Sequence, residues 1–82
     1  MEKKARILVA ANLRSIRAKY DYSIEYVAEK SGVNKDTISR YENATVSQQI
    51  DLLEKLLNVY DMDLAIFFAN IYANTHNKQI DS

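Results

Sequence analysis

Lys35, Asp36, Ser39 and Arg40 are the side chains of this 82-residue chain best suited to reading another molecule. On a helix at about 100° per residue, with Lys35 at zero, Ser39, Asp36 and Arg40 fall at about 40°, about 100° and about 140°. Ile38 and Tyr41 fall on the far side, at about 300° and about 240°. One segment thus carries a polar face and an apolar face. Arginine or lysine pairs with guanine edges, a carboxylate accepts from cytosine, and a hydroxyl serves several bases. Asn34 and Thr37 flank the polar face at the helix start, where phosphate oxygens are favoured. The solvated face of an ordinary bundle helix has the same pattern, so periodicity alone leaves both readings open.

Other chemistry finds little support. His76 is the one histidine, and there is no cysteine. An imidazole with no carboxylate at ligand spacing does not make a metal site. One glycine, Gly32, cannot build a phosphate-cradling loop. Ser15, Ser23, Ser31, Ser39, Ser47 and Ser82 lack a histidine placed for a triad. A non-enzymatic chain with no cofactor and no small-molecule ligand is the expectation. Of the six tyrosines, Tyr20, Tyr41 and Tyr60 suit the core or its edge, and Tyr22 and Tyr26 suit surface packing.

These residues must be held by helices. There is no proline, and Lys, Glu, Leu, Ala and Gln are frequent, so an all-α fold is expected. Val9, Leu13, Ile16 and Tyr20 form one stripe of a first helix at about 5–19. Ser23 is an N-cap for a second helix, with Glu25 near its positive end and Val27 and Ala28 inward. Gly32 falls where a helix C-terminus takes a positive φ, and Asn34 caps a third helix at about 35–43. Helix, glycine-bearing turn, helix is helix-turn-helix spacing, here over about 23–43. A fourth helix is expected at about 48–59, capped by Ser47, with Ile50, Leu53, Leu56, Leu57 and Tyr60 on one side. Asp61 and Asp63 precede a fifth helix whose apolar face is Leu64, Phe67, Phe68, Ile71 and Tyr72. Periodicity ends at Ala73. The expected organisation is a compact five-helix bundle over 1–73 and a flexible tail over 74–82.

Net charge is zero, which taken alone argues against a nucleic-acid partner, but the charge is unevenly spread. Residues 1–40 hold nine cations and five acids, a balance of +4, which leaves residues 41–82 at −4. One half can face phosphates while the other faces solvent or protein. No apolar run, Ile7 to Ala11 included, comes near the roughly 20 residues that span a bilayer. No membrane role is expected, and the cysteine-free composition suits a protein of the cytoplasm.

The stretch "NLRSIRAKYDYSIEYVAEKSGVNKDTISRYEN" resembles the Cro/lambda-repressor-like (XRE) helix-turn-helix family, notably in "VAEKSGV" and "TISRYEN". The resemblance runs through "LLEKLLNVYDMDLAIFF", about residues 9 to 68. It implies a transcriptional regulator, more readily a repressor than an activator, that binds operator DNA as a dimer with helix 35–43 in the major groove. Carried over by position, it implies base contacts from Lys35, Asp36, Ser39 and Arg40. Phosphate contacts are implied for Ser23, Asn34, Thr37 and Asn43. It further implies a structural salt bridge between Arg17 and Glu42.

The chain departs from the family pattern in three places. Ile24 replaces the glutamine that often opens the second helix. "ATVSQQ" follows Asn43 where glycine and basic residues are usual, and Asp36 puts a negative charge on the reading face. Each lost phosphate contact weakens binding and its salt dependence. Lys3, Lys4 and Arg6 offer a basic arm, and a dimer would double the contacts. Phe68, Ile71 and Tyr72 are the expected dimer or partner surface. The alternative is a protein-interaction module on the same fold, antitoxin-like, anti-repressor or adaptor, with weak or no DNA binding.

Overall fold

The computed structural model describes residues 3–80, and side-chain surroundings for residues 3–75. Five helices follow in order: α1 Lys3–Tyr20, α2 Ile24–Ser31, α3 Lys35–Asn43, α4 Ile50–Asn58 and α5 Leu64–Ile80. No strand occurs among the described residues. The fold is the all-α bundle that the apolar spacing predicts. α1 lies along α3, α2 touches α3 and α4, and α5 closes the bundle against α1 and α4.

Each helix contributes a few side chains to one core. Val9 and Leu13 come from α1, Val27 from α2, Ile38 and Tyr41 from α3, Leu53, Leu56 and Leu57 from α4, and Phe67 from α5. Burying an aliphatic or phenyl side chain of this size stabilises by roughly 1.5–3 kcal/mol. This small set therefore has to offset most of the chain entropy of so short a domain. Ala10 is also buried, on the side of α1 that meets α3 and the loop after it.

The caps form where hydrogen-bonding chemistry requires them. Ser23 Oγ accepts from the Tyr26 amide at 3.0 Å, and Asn34 Oδ1 accepts from the Asp36 amide at 2.7 Å. Asp63 Oδ1 accepts from the Ile66 amide at 2.8 Å, capping α5. The first four helices all end near a left-handed residue: Asp21 (φ 57°), Gly32 (φ 76°), Ala44 (φ 60°) and Asp61 (φ 54°). After α1 the Tyr22 amide donates to the Arg17 carbonyl and the Asp21 amide to the Ala18 carbonyl, the paired bonds of a Schellman end. After α4 the amides of Met62 and Asp61 repeat this with the carbonyls of Leu57 and Asn58. One glycine therefore suffices for four sharp turns.

Three expectations need correction. α4 begins at Ile50, and Ser47 does not cap it; Gln49 stands at the N-cap without a side-chain bond. The reason is Gln48, which turns inward and donates through Nε2 to the Tyr41 carbonyl at 3.0 Å and the Arg6 carbonyl at 3.1 Å. Holding that amide delays the helix, and Gln49 stays in an extended conformation. Ile50, counted with the inner side, is half exposed in the first turn, beyond the edge of the core. Tyr20, at the end of the α1 stripe, stands at the expected core edge, partly exposed and resting on the rings of Tyr22 and Tyr60 at 5.5 and 5.2 Å.

The third correction concerns α5. Ile71 is 9% exposed and belongs to the core, so it cannot lie on an outer docking surface in this packing. Phe68 and Tyr72 do face outward. The helix continues past Ala73 to Ile80, because "NTHNKQI" loses apolar periodicity but contains neither glycine nor proline to end it. The side chain of His76 and residues 81–82 of the expected tail lie outside the described residues.

Candidate nucleic-acid interface

α3 turns its two faces as the helical wheel requires. Ile38 and Tyr41 are buried, whereas Lys35, Asp36 and Arg40 are exposed and Ser39 is half-buried beside them. Asn34, Ser23 and Asn43 are exposed, and Thr37 is half-buried. Asn43 Nδ2 lies 3.4 Å from Ser39 Oγ, a weak contact within this face. The side-chain oxygens of Ser23 and Asn34 are occupied as caps. The Ser23 hydroxyl proton and the Asn34 Nδ2 group still have donor capacity towards an anion.

What positions α3 is a cluster centred on its last turn. Arg17 Nε meets Glu42 Oε2 at 2.8 Å and Arg17 Nη2 meets Glu42 Oε1 at 2.9 Å, a two-pronged pair. The remaining Arg17 nitrogen, Nη1, donates to the Tyr22 carbonyl at 2.9 Å. One guanidinium therefore ties α1, the α1–α2 turn and the end of α3 together. Its hydrogen bond to Glu42 raises the pKa of Arg17 above the ordinary value, against an opposing effect of burial. Arg14, one turn earlier on α1, donates through Nη1 to the Glu42 carbonyl. The placement of α3 is thus set from α1, with α2 also packed against it.

The segment after Asn43 is held as tightly. The Thr45 amide donates to the Arg40 carbonyl at 3.1 Å, and the Gln49 amide donates to the Tyr41 hydroxyl at 2.9 Å. With Gln48 bonded to the Tyr41 and Arg6 carbonyls, the loop is fastened to both α3 and α1. It carries no cation of its own. Ile24, which stands where a glutamine would brace the reading helix, instead packs half-buried against the core.

Two residues of this assembly, Arg14 and Gln48, are not singled out by sequence reasoning. Arg14 had a readable signal, since it lies three residues before Arg17 and about 60° from it on the wheel. Gln48 had none, because a glutamine in a polar loop gives no sign that its amide will be buried. Among the described residues no group of histidine, cysteine or acidic side chains is arranged to hold a metal ion. None of the described helices is long and apolar enough to cross a membrane.

Comparison with known proteins bears on the same segment. A helix-turn-helix family model matches residues 13–67, which includes α2, α3 and α4 entire. The cryptic phage CTXphi transcriptional repressor RstR of Vibrio cholerae is 30% identical over 71 residues, or 87% of this chain and 64% of that protein. The chain therefore spans somewhat less than two thirds of the length of this curated relative. No solved structure matches.

Proposed function

The chain belongs to the XRE-type helix-turn-helix family of DNA-binding regulators, and from that premise we propose that it represses transcription by binding operator DNA as a dimer, with α3 in the major groove. The observation that carries this reading is the exposed row Lys35, Asp36 and Arg40 on a helix whose other face is buried and whose end is fixed by Arg17. Such a helix reaches base edges without having to order itself first, so little entropy is lost on binding. Lys35 and Arg40 act on guanine, Asp36 selects cytosine, and Ser39 supports them. Ser23, Asn34, Thr37 and Asn43 contact the phosphates and set the register. Similarity to a protein described as a phage transcriptional repressor supports the repressor role. Residues 1–73 are the DNA-binding unit and residues 74–82 an extension of it.

Dimerisation uses the side of α5 that carries Phe68 and Tyr72, one turn apart and 36% and 63% exposed. Light scattering detects the dimer directly, and Phe68→Glu shifts it to monomer. The direct test of reading is selection from a random duplex library. The unaltered protein enriches one motif, and Lys35→Ala and Arg40→Ala each relax the preference at separate base pairs, costing about 1–3 kcal/mol at those positions. Enrichment of no motif contradicts the proposal.

A second reading rests on one observation, the cation-free loop of residues 44–49. A protein-interaction module on the same fold, antitoxin-like, anti-repressor or adaptor, needs no phosphate grip there. Stable 1:1 association with a co-encoded protein, without any DNA shift, supports that reading over the first.

A further inference from the structure

The cations missing from the α3–α4 loop have counterparts in α1. Lys3–Tyr20 contains six basic residues and no acidic one. On the α1 wheel, Arg6, Arg17, Ala10, Lys3 and Arg14 follow one another within an arc of about 80°. Four cations thus share one narrow sector about a buried alanine. That sector is the side that meets the end of α3 and the loop: Arg6 through its carbonyl to Gln48, Arg14 and Arg17 through Glu42. The apolar stripe of Val9, Leu13 and Ile16 lies beside it, which fixes the rotation of the sector relative to the core.

The four cations are not used alike. Arg17 is committed to Glu42, the one ion pair among the described residues. Arg14 is exposed, and its single bond to a carbonyl leaves most of its five donors unengaged. Arg6 is partly buried, with Nε inside and without a hydrogen-bond partner, next to Gln48, whose Oε1 is likewise buried and unpartnered. Its backbone carbonyl is tied to the loop through Gln48, and no acid among the described residues pairs with it. Lys3 is exposed at the start of the same helix.

We propose that Arg6 and Arg14, with Lys3, form a phosphate clamp supplied by α1 across the α3–α4 loop, in place of basic residues in the loop itself. This rests on the DNA-binding reading and names the groups that hold the backbone. The short, cation-free loop lets α1 approach, buried Ala10 permits that contact, and Gln48 fixes the distance. Guanidinium groups suit the task because their fork matches phosphate oxygens in pairs.

The test is a series of anisotropy titrations across a salt range, on the selected duplex and a scrambled one, with circular dichroism to verify folding. Arg6→Gln, Arg14→Gln and Lys3→Gln each weaken both duplexes by the same factor and make the slope of log K against log salt shallower by about one. Between 50 and 200 mM salt, each variant consequently loses roughly fourfold less affinity than the unaltered chain. Arg6→Lys and Arg14→Lys retain the slope, and Lys55→Gln on α4 changes nothing. Lys3 is exposed and its side chain has no hydrogen bond or ion pair among the described residues, so its variant stays informative if an arginine variant unfolds. Unchanged slopes in the glutamine variants, alongside intact motif preference, overturn the clamp and leave the reading role of α3 standing. A changed motif preference overturns it as well, by making these residues supports of α3. Absence of DNA binding by the unaltered chain overturns both.

Discussion

Glu42 is 5% exposed and carries a charge that water no longer solvates. Both its oxygens are met by Arg17, and its carbonyl by Arg14. Removing one member of such a pair leaves the other charge stranded, which costs more than the pair contributes. Arg17→Ala is expected to destabilise by about 2–3 kcal/mol, at the low end for a buried pair because Arg17 keeps a quarter of its surface in water. The double variant Arg17→Met, Glu42→Leu is expected to be less destabilised than either single truncation, as urea melts of all three would show. Tyr60 gives a second residue-level prediction. Burial is the main cause that pushes its hydroxyl up to about 12 from 10.0, with Glu42 adding to the rise. A raised folded pKa gives stability that is intact below pH 10 and lost as pH rises towards 12. Melts at pH 9 and pH 11.5 should therefore diverge, and Tyr60→Phe should narrow the gap. At this scale the pairing of Arg17 with Glu42 and the outward row on α3 were legible, through resemblance and through helical phase. The buried amide of Gln48 was not, since its partners are backbone carbonyls 7 and 42 residues away.

At the scale of elements, the start of α3 could be placed to the residue, because Asn34 caps it and Gly32 closes the helix before. The ends of α1, α3 and α4 were harder to see. Their left-handed residues are Asp21, Ala44 and Asp61, and only glycine advertises that conformation in a sequence. Aspartate tolerates it moderately, but alanine gains nothing there. Ala44→Gly is accordingly expected to stabilise by roughly 1 kcal/mol, an effect visible as a raised urea midpoint with unchanged m. A lower midpoint would mean that the Ala44 methyl contributes packing that outweighs its backbone strain. The start of α4 was misplaced for a related reason. Ser47 has the right chemistry for a cap, but the tertiary bonds of Gln48 and Gln49 to Tyr41 delay the helix. Local preference gave way to long-range contacts, as it commonly does at loop boundaries.

At the scale of the whole molecule, the proposed function separates reading from holding. In that proposal α3 presents base-reading side chains, α1 fixes α3 and carries the cations, and α5 offers Phe68 and Tyr72 to a second copy. A net charge of zero conceals this division, because the basic α1 is balanced by acids distributed through the second half of the chain. The all-α architecture and the helix-turn-helix were legible from cap chemistry and apolar spacing, whereas the seam between α1 and the loop required the packed structure. The most direct measurement is binding of the unaltered chain to intergenic DNA flanking its own gene, against scrambled duplex, over a salt series. Salt-sensitive binding is expected, with a clear preference for the flanking DNA at every salt concentration. Equal affinity for both duplexes, or no binding even at low salt, would contradict a DNA-reading role for α3.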